Sequence, residues 1–88
     1  MKMITGNYKS EDGQNYYSIV LNLETFEYVQ IKNAGCAANA ETLALEYFNE
    51  KEELYSQRSL RVFLVGTCSE LNLKFIPKKY HRYFNRKL

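Results

Sequence analysis

The chain is poor in the residues that carry most protein chemistry. Its 88 residues include one histidine, two cysteines, one proline, four glycines and no tryptophan. Cys36 and Cys68 are too few for a disulfide framework, and reduced thiols in a cytoplasmic protein are expected. They form no Cys-x-x-Cys pair, and His81 is the lone imidazole, so zinc-ligand spacing is missing and neither a metal nor another cofactor is expected. Gly6, Gly13, Gly35 and Gly66 stand apart from one another, which excludes a glycine-rich phosphate loop. No Gly-x-Ser-x-Gly elbow and no His-Glu-x-x-His occurs. His81 lies between Tyr80 and Arg82 with no orienting carboxylate beside it, and neither cysteine has an identifiable base. The chain is therefore expected not to be an enzyme. A small ribonuclease built on His81 is the one catalytic reading that remains.

Long apolar runs are also missing. Lys2 is followed by only Met3 and Ile4, where a signal peptide needs about seven apolar residues, so none is predicted. Val62-Phe63-Leu64-Val65 is far shorter than the ~20 residues of a membrane span, and no membrane partner is expected.

Aromatics and a divided charge fill the space. Eight tyrosines and five phenylalanines favour sheet structure and adhesive surfaces. The composition, 45% hydrophobic and 25% charged, is that of one small folded domain over residues 1–88. The net charge of +2 hides a strong polarity. Met1 to Ser59 holds five Lys/Arg against nine Asp/Glu, and Leu60 onward holds seven against one. Within the tail, residues 77–88, Lys78, Lys79, Arg82, Arg86 and Lys87 are interleaved with Tyr80, Tyr83 and Phe84 and meet no acid.

Turn signals divide the chain. Asp12-Gly13 predicts a hairpin between a short strand near Met3–Lys9 and a better one at Tyr16–Leu23. In the second strand Tyr17, Ile19, Leu21 and Leu23 alternate onto one face, away from Tyr16, Ser18 and Asn22. Glu24-Thr25 leads into a strand over Phe26–Lys32, with Val29 and Ile31 inward. Asn39 is a fitting N-cap for a helix from Ala40 to Tyr55. Ala40, Leu43, Ala44, Tyr47, Phe48, Leu54 and Tyr55 form its apolar stripe. Glu46, Glu50, Glu52 and Glu53 make the opposite side an acidic, solvated face. Strands follow at Leu60–Thr67 and Leu71–Ile76, and Pro77 ends the second and suits the first turn of a helix. If Pro77–Lys87 is helical, Tyr80, Phe84 and Leu88 stack along one side while Lys79, Arg82 and Arg86 line another.

The expected fold is α+β: an antiparallel sheet of four to five strands, one acidic helix on one face, and a basic C-terminal helix or tail. One helix cannot cover both faces. The second face is expected to stay open and to present Tyr16, Tyr28 and Phe63 with Lys32, Arg61 and Lys74.

Cations among aromatics suit phosphate pairing and base stacking, so RNA or another nucleic acid is the expected partner. The RNA-binding set is Arg61, Lys74, Lys78, Lys79, Tyr80, Arg82, Tyr83, Arg86 and Lys87. Unpaired RNA fits the aromatics better than duplex DNA. Arg61-Val62-Phe63-Leu64-Val65-Gly66 does not match the RNA-recognition sheet motif. The alternative is a protein–protein inhibitor that docks on a host protein through the open face at Tyr16, Tyr28 and Phe63. The charge polarity also permits a homodimer, acidic helix against basic tail.

The Met-Lys start and stretches such as Tyr47-Phe48-Asn49-Glu50-Lys51 and Tyr83-Phe84-Asn85-Arg86-Lys87 carry a resemblance. In this style and in element order the chain resembles the small accessory proteins of T-even-type tailed phages. That resemblance implies a non-enzymatic counter-defence inhibitor or antitoxin acting in the host cytoplasm. It assigns no residue.

Overall fold

The computed structural model describes residues 2–49, 59–69 and 71–84. Four strands form one sheet in the order β1-β3-β2-β4. They are β1 (Lys2–Thr5), β2 (Tyr17–Asn22), β3 (Tyr28–Lys32) and β4 (Leu60–Gly66), and helix α1 spans Ala37–Asn49. The chain is α+β, as its pattern predicts.

β2 and β3 form an antiparallel hairpin from Tyr17 opposite Lys32 to Leu21 opposite Tyr28. Its turn is organised by the buried Asn22, whose Oδ1 accepts from the N–H groups of Glu24 at 2.8 Å and Thr25 at 3.3 Å. Phe26 sits in the left-handed region at φ 65, so β3 begins at Tyr28 and not at Phe26.

The sheet is mixed, which corrects the all-antiparallel expectation. β1 runs parallel to β3, with Ile4 opposite Ile31. Asp12-Gly13 does make a turn: Asp12 Oδ1 accepts from Ser10 Oγ and the Gln14 N–H, and Gly13 takes φ 74. The flanking strands do not pair, because β3 lies between them. Residues 6–16 instead cross the end of β3, held there by Asn33. Asn33 Oδ1 accepts from Tyr16 N at 2.9 Å, and its Nδ2 donates to Asn15 at 3.0 Å. Its carbonyl accepts from Tyr8 N. Asn33 takes φ 58, a conformation asparagine tolerates better than most residues.

α1 covers one face. Ala40, Ala44 and Phe48 are fully buried against Val20, Val29, Ile31 and Leu60. The alanines are small enough to let the helix pack close on the sheet, and Phe48 is the largest side chain fully buried there. The helix starts at Ala37, with Ala40 N bonded to Cys36 O. Asn39 therefore lies in the first turn and is not the cap; its Nδ2 donates to Ala34 O at 3.0 Å. The expected extension to Tyr55, with Glu50, Glu52 and Glu53, lies outside the described residues.

Cross-strand register puts Ile19 and Leu21 on the other face, with Tyr28, Gln30, Arg61 and Phe63. That corrects the expected grouping of Ile19 and Leu21 with Val29. Both sets are apolar and fully buried, since β2 is a central strand covered on two sides. The second cover is Ser69 and residues 71–84. Gln30 Nε2 donates to Ser69 O at 2.7 Å, and Ile76 is buried. Leu71–Ile76 is not a strand. Asn72 Oδ1 caps a 3₁₀ turn at Leu73–Phe75 by accepting from Lys74 N, so local capping outcompetes the alternating pattern.

Candidate nucleic-acid interface

The tail begins at Pro77, closes a 3₁₀ turn over Lys78–Tyr80, and continues as α2 over His81–Phe84. Its three aromatic rings all point at the sheet. Tyr80 packs on Phe63 with ring centres 5.2 Å apart, Phe84 on Tyr28 at 4.8 Å, and Tyr83 on Phe26 at 4.4 Å. All three pairs are tilted, a geometry that suits the ring quadrupoles. His81 adds a polar staple: its Nε2 lies 2.9 Å from Leu73 O and 2.7 Å from Ile76 O. Both partners are carbonyls, so Nε2 carries the proton and donates.

These contacts change the expected site. The face read as open is covered, because the tail's own rings close over it. Tyr28 and Phe63 are half-buried beneath Phe84 and Tyr80. Tyr16 is not with them; it stands in the loop across the end of β3 and donates its hydroxyl to Asp12. That bond, then Ser10 Oγ and the Gln14 N–H, holds the Asp12 carboxyl below the usual carboxylate range. The same bond pushes the Tyr16 phenol up, because ionising it would set two anions together. Tyr80, Tyr83 and Phe84, expected to divide between docking and stacking, all dock.

With the rings turned inward, the cations face outward. Lys74, Lys78, Lys79 and Arg82 are exposed. Lys79 Nζ lies 5.2 Å from the Tyr80 ring centre, and the Arg82 guanidinium 5.2 Å from that of Tyr83. The rings thus position two of the charges as well as anchoring the tail. Among the described residues, none of these four cations meets a carboxylate. The carboxylates of α1, Glu41 and Glu46, lie across the sheet. Arg61 is half-buried and donates to Leu60 O at 2.9 Å. Arg86 and Lys87 lie outside the described residues.

A concavity that the sequence pattern did not single out lies at the end of the sheet that α1 leaves bare. Tyr8, Tyr16, Ser18, Cys36, Leu64 and Gly66 are among its walls, and its volume is about 310 Å³. Leu64 was the available signal: it alternates onto the helix face yet lies opposite Ser18, beyond the reach of α1. Cys36 and Cys68 form no disulfide, and among the described residues no three His, Cys, Asp or Glu side chains gather as a metal site would require. No helix of the described residues is long and apolar enough to cross a membrane. Compared with known proteins, the chain matches no family model, no curated protein and no solved structure.

Proposed function

We propose that this chain is a non-enzymatic RNA-binding protein whose basic tail grips the phosphate backbone. The observation that carries the reading is the set of exposed cations: Lys74 in the turn before the tail, and Lys78, Lys79 and Arg82 on a tail fixed by its aromatic rings. A fixed cation loses less entropy on meeting a phosphate than one on a free tail. A single strand suits this surface better than a duplex. α2 has four residues, so the basic side offers no described helix able to enter a major groove. His81 supports a role without catalysis, since its Nε2 is engaged with two backbone carbonyls.

The phage resemblance extends the reading to a host-cytoplasmic antagonist of a defence system, with RNA as the target or as the handle. The runner-up, a protein inhibitor docking by Tyr28 and Phe63, requires the tail to leave its face first.

The test is a salt series of binding to a single-stranded RNA. Four phosphate contacts predict a slope of log affinity against log salt near −3, from about −0.7 per contact. Lys78→Glu with Lys79→Glu and Arg82→Glu should flatten that slope and abolish binding while thermal unfolding is unchanged. Salt-independent binding, or full binding by the triple variant, would refute the proposal. Salt-tolerant capture of a protein that is lost in Tyr28→Ala would favour the runner-up.

A further inference from the structure

We infer that the cavity at the bare end of the sheet is a seat for one unpaired nucleobase. The inference rests on the RNA reading above.

The cavity is built, not incidental. α1 begins only at Ala37, so Ser18 and Leu64 lie past its end with no layer above them. The loop of residues 6–16 folds over the gap and stands Tyr8 and Tyr16 along its sides. Both rings are held in place. Tyr8 packs on Gly35, where a Cβ would come within 3.1 Å of the ring. Tyr16 is bonded through its backbone to Asn33 and through its hydroxyl to Asp12. A wall braced in this way is preformed for a flat ligand.

The exposed apolar side chains concentrate here. Tyr8 is 50% exposed and Leu64 62%, and both line the cavity beside the partly exposed Tyr16. An aromatic patch left open on a small domain marks a binding surface. Its polar content is sparse and directional. Ser18 is only 5% exposed, yet it lines the cavity, and its hydroxyl has no hydrogen-bond partner among the described residues. The hydroxyl opens onto the cavity with no described protein partner, so a ligand edge that donates or accepts can pair with it there.

A nucleobase meets each requirement. Its face stacks on tyrosine, and its edge pairs with Ser18. At about 310 Å³ the space lies at the lower end of small-ligand sites, roughly 300–1,000 Å³, room for one nucleoside-sized group. A phenylalanine or leucine from a protein partner would fill the slot but leave Ser18 unpaired.

Cys36 gives a direct readout, because its exposed thiol lines the cavity while Cys68 does not. The full chain is alkylated with iodoacetamide in the presence of adenosine or uridine monophosphate, a short single-stranded RNA, or a phenylalanine-containing tripeptide. The rate at each cysteine is read by mass spectrometry. The nucleotide and the RNA should slow Cys36 about tenfold at ~10 times Kd and leave Cys68 unchanged. Tyr8→Ala should raise the ligand concentration that half-protects Cys36 roughly five- to a hundredfold through lost stacking. Ser18→Ala, which removes one unpaired oxygen and keeps the fold, should raise that concentration by about two- to tenfold.

Salt-dependent RNA binding with Cys36 unprotected overturns the base seat and leaves the RNA reading standing. Protection by the nucleotide with no RNA binding supports the seat and overturns the RNA reading. Protection by the tripeptide alone overturns the seat in favour of a protein side chain.

Discussion

Docking of the tail through its rings makes a quantitative prediction at Phe63 and Tyr80. Both are half-buried, and their ring centres lie 5.2 Å apart. A fully buried Phe→Ala change costs about 3–5 kcal/mol, so half-burial predicts about 2 kcal/mol for Phe63→Ala and a similar loss for Tyr80→Ala. A tilted ring pair adds about 0.5–1.5 kcal/mol beyond buried area. The double variant should therefore lose about 3 kcal/mol, less than the summed singles, because the pair energy is lost only once. A domain of this size holds roughly 4–13 kcal/mol in total, so the double variant stays folded and measurable. Urea unfolding followed by circular dichroism gives all four corners of the cycle. The control is Phe63→Ala with Leu43→Ala, whose side chain lies on α1 across the sheet, and this pair should add within about 0.5 kcal/mol. If Phe63 and Tyr80 add as independently as the control, the tail does not sit on this face. The outward display of the cations would then lose its basis.

Three further outcomes follow from local geometry. At Phe26, φ 65 disfavours any residue with a Cβ, so Phe26→Gly should be more stable than Phe26→Ala by about 1 kcal/mol, although both lose the contact with Tyr83; thermal melts of the two variants decide it. Asn33→Ala removes two side-chain bonds and a residue suited to φ 58, which should cost about 2 kcal/mol and accelerate amide exchange in residues 6–16 before the rest of the sheet. Asp12 has its pKa lowered in the folded state, so its contribution is present above the unfolded carboxylate pKa and is lost as pH falls through the folded one. Tyr16 has its pKa raised, so its contribution is present below the unfolded phenol pKa and is lost as pH rises through the folded one. Tyr16→Phe should return the Asp12 titration, followed by carboxyl NMR, toward the ordinary range.

The sequence announces each element of the sheet but not how the elements meet. Alternation and β-branching located β2, β3 and β4, although β3 starts at Tyr28 and not at Phe26. The Asp12-Gly13 turn misled because its chemistry is local: Asp12 caps the same turn whether the flanking strands pair or are parted by β3. Register was ambiguous for a related reason. Ile19, Val20 and Leu21 are all apolar, and a central strand buried on both sides gives alternation nothing to choose between. The Leu71–Ile76 pattern failed at Asn72, where a side-chain cap on the Lys74 N–H turned an alternating run into a 3₁₀ turn. The cations and rings of the tail were legible as a group. The sides they face were not, since that depends on Phe26, Tyr28 and Phe63, far away in sequence.

On the proposed RNA reading, that last dependence lets an aromatic tail serve a charged ligand without touching it. In an unfolded tail, cations next to rings suggest stacking on bases. In this fold the rings are already taken by the sheet, and each pairing settles the orientation of a neighbouring charge. Lys79 follows from Tyr80, and Arg82 from Tyr83. Covering the second face and displaying the cations are then one event, because Ile19 and Leu21 stay dry only while the tail is down. Loosening the rings should therefore weaken phosphate binding even though no cation is altered. Tyr80→Ala combined with Phe84→Ala should lower affinity for single-stranded RNA at a fixed low salt while keeping the salt slope near that of wild type, because the charges remain and only their ordering is lost. A slope that collapses instead would mean that the rings, and not the cations, carry the contact.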